Sequence, residues 1–151
     1  MGTPEFAVPS LEAIHRQFGV QAVVTVPDTP QGRGMKLTPS AVKVAALELG
    51  LPVLQPESLK SEEFRQDIGS LKPDIIVVVA FRILPKSIYS LASLGAFNIH
   101  GSLLPKYRGA APINWAIING ESESGVTSFL LNDKVDTGKI LLKASTPITD
   151  G

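Results

Sequence analysis

The stretch Asp74-Ile75-Ile76-Val77-Val78-Val79-Ala80 decides the fold. It is rich in β-branched residues and almost continuously apolar, as a central strand covered on both faces must be. Working outward, further strand signals are Val20–Val26, bounded by Gly19 and Pro27, then Pro52–Gln55 and Gly95–His100, with Gly125–Leu131 and Lys139–Ala144 as a final pair. Helical signals lie between them. Val8, Leu11 and Ile14 share one face and Gly19 follows as a stop. Thr38 reads as the cap of a helix opened by Pro39, with Val42, Ala45, Ala46 and Leu49 inward and Gly50 ending it. Ser61 opens another that carries Phe64, Ile68 and Leu71, and Pro112 opens the last, which ends at Gly120, with Trp115 as a packing residue. Strands alternating with helices predict an α/β domain whose mostly parallel sheet is flanked by helices. One strand is missing from that pattern, because Met1-Gly2-Thr3-Pro4 leads almost directly into the first helix.

Composition narrows the function classes. With 151 residues, 44% of them hydrophobic and 19% charged, the chain is sized for one folded core. Its 14 basic and 14 acidic side chains balance, which excludes a globally basic nucleic-acid coat and leaves only local patches. The absence of cysteine excludes disulfides, thiolate metal sites and cysteine nucleophiles. No metal site is expected, since the two histidines have no carboxylates at useful spacing. The longest apolar run, Ile75–Phe81, is far short of a membrane span, and the N-terminus lacks a signal pattern. A cytoplasmic protein without membrane contact is the expectation.

Two loops are longer than connectivity needs. Pro27–Pro39 carries Arg33 and Lys36, and with Lys43 just beyond it these cations form a candidate phosphate contact. Gly101–Ala111 joins a strand end to a helix start. Before it, Asn98 and His100 stand two apart on one strand, so they point to the same side. They also fall at the carboxyl end, where open α/β sheets bind ligands. An amide beside an imidazole suits stabilisation of an oxyanion and movement of protons. The same pair also reads as a strand end satisfying its own backbone, and spacing alone does not separate the two. Asn132–Gly138 is a polar loop whose aspartates read either as partners of His100 or as turn chemistry.

Longer motifs carry a resemblance. The opening Met1–Leu11 (MGTPEFAVPSL), the loop Gly32–Ser40 (GRGMKLTPS), the run Phe97–Pro105 (FNIHGSLLP) followed by Tyr107–Asn114 (YRGAAPIN), and Val135-Asp136-Thr137-Gly138 closely resemble the methionyl-tRNA formyltransferases. The matches run through nearly the whole chain in the family's order. The Asn-x-His-x-Ser-Leu-Leu-Pro run is shared by the wider group that uses 10-formyltetrahydrofolate; the opening and the Gly-Arg-Gly loop are more specific.

The resemblance implies a Rossmann-like formyltransferase domain that moves a formyl group from 10-formyltetrahydrofolate to the α-amino group of methionyl initiator tRNA. It implies a catalytic trio of Asn98, His100 and Asp136. Ser102, Leu103, Leu104 and Pro105 would line the folate site, and Phe81, Arg82, Ile83 and Leu84 would meet the pterin through backbone. Arg33 and Lys36 would contact the tRNA acceptor arm. The family's pattern also implies a strand ahead of Met1 and a smaller β-barrel domain after Gly151, so residues 1–151 are expected to be an N-terminal catalytic domain lacking its first strand. A monomer is expected. Two rival readings are a formyltransferase acting on an amino-sugar nucleotide and a folate-binding module without turnover.

Overall fold

The valines of the apolar run become β5 (Ile76–Val79). Its side chains alternate between two cores, which is why the run has no polar face. Ile76 and Val78 join Phe64, Ile68, Ile88 and Ala96 on one side, while Val77 and Val79 pack with Val23, Val42 and Ala46 on the other. The computed structural model describes residues 1–31 and 36–149. β5 pairs in parallel with β6 (Ala96–His100), and β6 pairs antiparallel with β7 (Glu123–Leu130), which holds β8 (Ile140–Pro147) at the edge. A second parallel pair joins β1 (Val23–Val24) to β4 (Val53–Leu54). The sheet is therefore parallel through β6 and antiparallel beyond it.

Among the described residues five α-helices flank these strands: α1 (Val8–Phe18), α2 (Ala41–Glu48), α3 (Glu62–Leu71), α4 (Lys86–Tyr89) and α5 (Pro112–Ile118). The Ser61 hydroxyl caps α3 by accepting from the Phe64 amide at 3.3 Å. The cap of α2 is Ser40, whose Oγ accepts from the Lys43 amide at 3.1 Å, and not Thr38. Thr38 is already committed elsewhere: it ends β3 (Lys36–Thr38), which forms an antiparallel hairpin with β2 (Thr29–Gln31) inside the long loop. Val42, Ala45 and Ala46 are buried as expected, but Leu49 lies at the exposed C-terminal end of α2. Trp115 is also a correction. It is 52% exposed, because α5 buries only Ala116.

Met1 and Gly2 stitch the two strand pairs together. The Gly2 amide donates to the Val24 carbonyl at 3.0 Å, and the Val79 amide donates to the Met1 carbonyl at 2.9 Å. Only glycine fits at position 2, since a Cβ would stand 2.8 Å from the Ala7 Cβ and 2.9 Å from the Val79 oxygen. Beyond this stitch the halves part around an apolar cleft of about 630 Å³, lined by Val20, Val23, Ile68, Val77 and Phe97 among others. The strand order is β4-β1, the Met1–Gly2 stitch, then β5-β6-β7-β8. The chain winds outward from the stitch to β1 and β4, then returns to β5 and winds outward the other way. That reversal is a topological switch point, and the carboxyl ends of β5 and β6 lie beside it.

Candidate active site

The strand ends of β5 and β6 carry the site because parallel pairing sets Val79 beside Ile99. After β5 the chain turns at Ala80 into Phe81–Leu84; on β6, Asn98 and His100 emerge on one side. Asp136 arrives from the loop between β7 and β8. All of these line one cavity of about 800 Å³, so the structure brings together Asn98, His100, Asp136 and Phe81–Leu84.

His100 is 7% exposed, and its Nε2 lies 2.7 Å from the Tyr107 carbonyl oxygen. A carbonyl can only accept, so Nε2 carries a proton, and Nδ1 is the ring atom left to gain or lose one. Nδ1 stands 3.7 Å from Asp136 Oδ2, an ion pair when the ring is charged. Asp136 is itself held on two sides. Its Oδ2 accepts from the Gly109 amide at 2.8 Å, and its carbonyl accepts from Arg108 Nε at 3.1 Å. Gly138 closes the turn behind it, where any Cβ would collide with the Leu130 carbonyl. Asn98 Oδ1 is buried with no hydrogen-bond partner among the described residues. An orphaned acceptor costs about 1–3 kcal/mol, which a folded protein tolerates mainly where a ligand will use the group.

Backbone strain gathers at the same place. Ala80, Tyr107, Ala111 and Asp136 have φ of +46°, +56°, +52° and +52°, and all belong to or adjoin this cavity. Left-handed conformations at non-glycine residues persist only where the surroundings over-determine them, and they cluster at active sites.

Ser102, Leu103, Leu104 and Pro105 are not on the cavity wall. Ser102 and Leu104 turn down into the protein, 1% and 2% exposed. The Ser102 hydroxyl donates to the Lys106 carbonyl at 2.6 Å, and the Leu104 amide donates to Thr127 Oγ1 at 3.0 Å. Their hydrogen bonds shape the loop from beneath, and Gly109–Asn114 line the cavity instead. Lys36 is exposed on the hairpin, whereas Arg33 lies outside the described residues. Lys43 is engaged at the hairpin base, its Nζ donating to Asp28 Oδ2 at 2.7 Å. That bond, and a second from Gln55, hold the Asp28 carboxyl below its usual pKa. Among the described residues no three His, Asp or Glu side chains cluster as a metal site, and no helix is long and apolar enough to cross a membrane. Tyr107, Gly109 and Thr127 were not legible as site residues, because two act through backbone atoms and the third from beneath.

Comparison with known proteins places this geometry among relatives. A family model described as formyl transferase matches residues 2–151. A methionyl-tRNA formyltransferase of Parabacteroides distasonis is 55% identical over 152 residues, covering 99% of this chain and 47% of that protein. One from Chlorobium phaeovibrioides is 57% identical over 152 residues, covering 98% and 48%. The chain thus spans about half the length of the curated relatives it matches. Among solved structures, a phosphoribosylglycinamide formyltransferase from Streptococcus pneumoniae superposes with a TM-score of 0.77 at 21% identity, over 99% of this chain and 81% of that one. The sugar 3N-formyl transferase WlaRD gives a TM-score of 0.63 at 24% identity, over 97% and 50%. Likeness at that identity speaks for the shared fold alone.

Proposed function

The chain belongs to the formyl transferase family, and from that premise we propose that it is the catalytic part of an enzyme that formylates methionyl initiator tRNA for the start of protein synthesis. The observation that carries the reading is the convergence of Asn98, His100 and Asp136 on one cavity at the switch point, in a chain whose relatives at 52–57% identity bear the name methionyl-tRNA formyltransferase. The donor is 10-formyltetrahydrofolate, seated along Phe81–Leu84 with its formyl carbon toward Asn98. The acceptor is the α-amino group of methionine on the tRNA, whose acceptor arm meets Arg33 and Lys36. Ser102–Pro105 support the donor site from beneath, through the loop they shape. The protein acts in the cytosol as a monomer, as the N-terminal domain of a longer transferase.

The chemistry follows from the groups present. The neutral amine attacks the formyl carbon, and the carbonyl oxygen becomes an oxyanion. The Asn98 amide and the Nδ1–H of protonated His100, whose Nε2–H stays on the Tyr107 carbonyl, donate to that oxygen, in a site where donors need no reorganisation. Asp136 keeps Nδ1 in place and shares its proton. The attacking nitrogen then loses a proton, N10 of the folate gains one, and the bond from carbon to N10 breaks to release tetrahydrofolate. Holding amine and formyl carbon together supplies much of the remaining acceleration.

The test is formyl transfer from 10-formyltetrahydrofolate to methionyl initiator tRNA, run beside an amino-sugar nucleotide and a no-acceptor control. Transfer to tRNA is expected, with His100→Ala slower by about 10²–10³-fold, the usual cost of an oxyanion donor. Transfer to the sugar alone would change the acceptor, and transfer to neither would defeat the claim of activity.

A further inference from the structure

The carbonyl that fixes the His100 ring belongs to Tyr107, a strained residue with φ +56°. A bulky side chain takes that conformation only under external constraint, and the constraint lies on the far side of the loop. The Tyr107 hydroxyl donates to Glu121 Oε1 at 2.8 Å, and Lys106 Nζ donates to both carboxylate oxygens at 3.0 and 3.2 Å. Asn119 Nδ2 donates to the Tyr107 oxygen at 3.2 Å. Glu121 stands on fixed backbone just past α5, its amide bonded to the Ala116 carbonyl at 3.0 Å. The Lys106 bond, then the Tyr107 bond, hold its carboxyl below the usual pKa, so it is charged across the neutral range.

The inner side of the same segment meets the chemistry twice. The Tyr107 carbonyl accepts from His100 Nε2, and two residues later the Gly109 amide donates to Asp136. Lys106–Gly109 is therefore fastened outside to one carboxylate while it orients two side chains inside. Glu121 is not on the cavity wall.

We propose that Glu121 is a positioning residue for the transfer reaction, clamping Lys106 and Tyr107 from outside so that the Tyr107 carbonyl fixes the orientation and tautomer of His100. This rests on the formyl-transfer reading above. Without the clamp the Tyr107 peptide relaxes toward ordinary dihedrals, its carbonyl leaves Nε2, and Nδ1 no longer faces Asp136 in one protonation state. Small misplacements of a reacting group cost about tenfold to a hundredfold in rate. Donor binding is expected to change far less than turnover, because Glu121 itself makes no part of the cavity wall.

The experiment reads the imidazoles by long-range ¹H–¹⁵N NMR in the unmodified chain, Glu121→Ala, Glu121→Gln and Tyr107→Phe, with His15 as internal reference for folding. Steady-state formyl transfer is measured on the same proteins. His100 is expected as the Nε2–H tautomer in the unmodified chain and as a tautomer mixture in Glu121→Ala. The same variant is expected to lose about tenfold in kcat with KM for the folate donor within about twofold. Glu121→Gln, which still accepts from Tyr107 but loses the Lys106 ion pair, falls between. An unchanged His100 tautomer together with unchanged kcat in Glu121→Ala overturns the proposal, even if the melting temperature falls. Should Glu121→Ala lose the His15 reference signal, Tyr107→Phe decides by the same two readouts. If the unmodified chain transfers no formyl group, the tautomer comparison still decides the positioning claim, and the functional reading fails separately.

Discussion

Asn98 presents a conflict between stability and function that a single substitution separates. Its buried Oδ1 has no partner among the described residues, so the folded state carries a desolvation cost there. Removing the amide removes that cost along with the proposed oxyanion donor. Asn98→Ala is therefore expected to slow formyl transfer by about 10²–10³-fold while thermal stability stays level or rises. A parallel melting curve and transfer assay check both halves, and a marked loss of stability would mean the amide supports the fold. Spacing on one strand marks Asn98 and His100 as candidates without separating them from a strand end that satisfies its own backbone, and the polar loop leaves its aspartates open to turn chemistry; the resemblance, through the Asn-x-His and Val-Asp-Thr-Gly motifs, is what singles out these two and Asp136. The Tyr107 contact was not legible, since a backbone carbonyl has the same chemistry at every residue and only its left-handed φ aims it at the imidazole.

Among the elements, α2 shows a helix cap read two residues out of place, at Thr38 instead of Ser40. The pattern predicted a hydroxyl cap near Pro39 and buried Val42, Ala45 and Ala46, and a hydroxyl does cap that helix. The hairpin of β2 and β3 was invisible to periodicity because a three-residue strand has no period to show. It draws Thr38 into a strand and leaves Ser40 as the first residue able to cap. Ser40 Oγ is also 2.7 Å from Thr25 Oγ1, and Thr25 is completely buried. Ser40→Ala thus removes the cap, about 1 kcal/mol, and strands a buried hydroxyl, about 1–3 kcal/mol more. Thr38→Ala removes only an exposed bond to the Lys36 carbonyl and is expected to be near neutral. Urea unfolding of the two variants side by side distinguishes them, and equal losses would restore Thr38 as the cap.

At the scale of the whole molecule, the α/β alternation was readable because each strand and helix announces itself locally. How Met1 and Gly2 join the two strand pairs was not readable, because it depends on two residues reaching across to strands more than twenty positions away. The Gly2 amide donates to the Val24 carbonyl and the Val79 amide to the Met1 carbonyl, so backbone pairing between the two half-sheets runs over two residues, beside an apolar cleft of about 630 Å³. An apolar, β-branched segment joined ahead of Met1 is expected to raise the melting temperature of residues 1–151, because its side chains would fill that cleft and its backbone would continue the pairing begun by Gly2 with Val24 and Val79. A polar segment of the same length is the control, and equal melting temperatures with the two would show that the open seam between the half-sheets does not limit the stability of these residues.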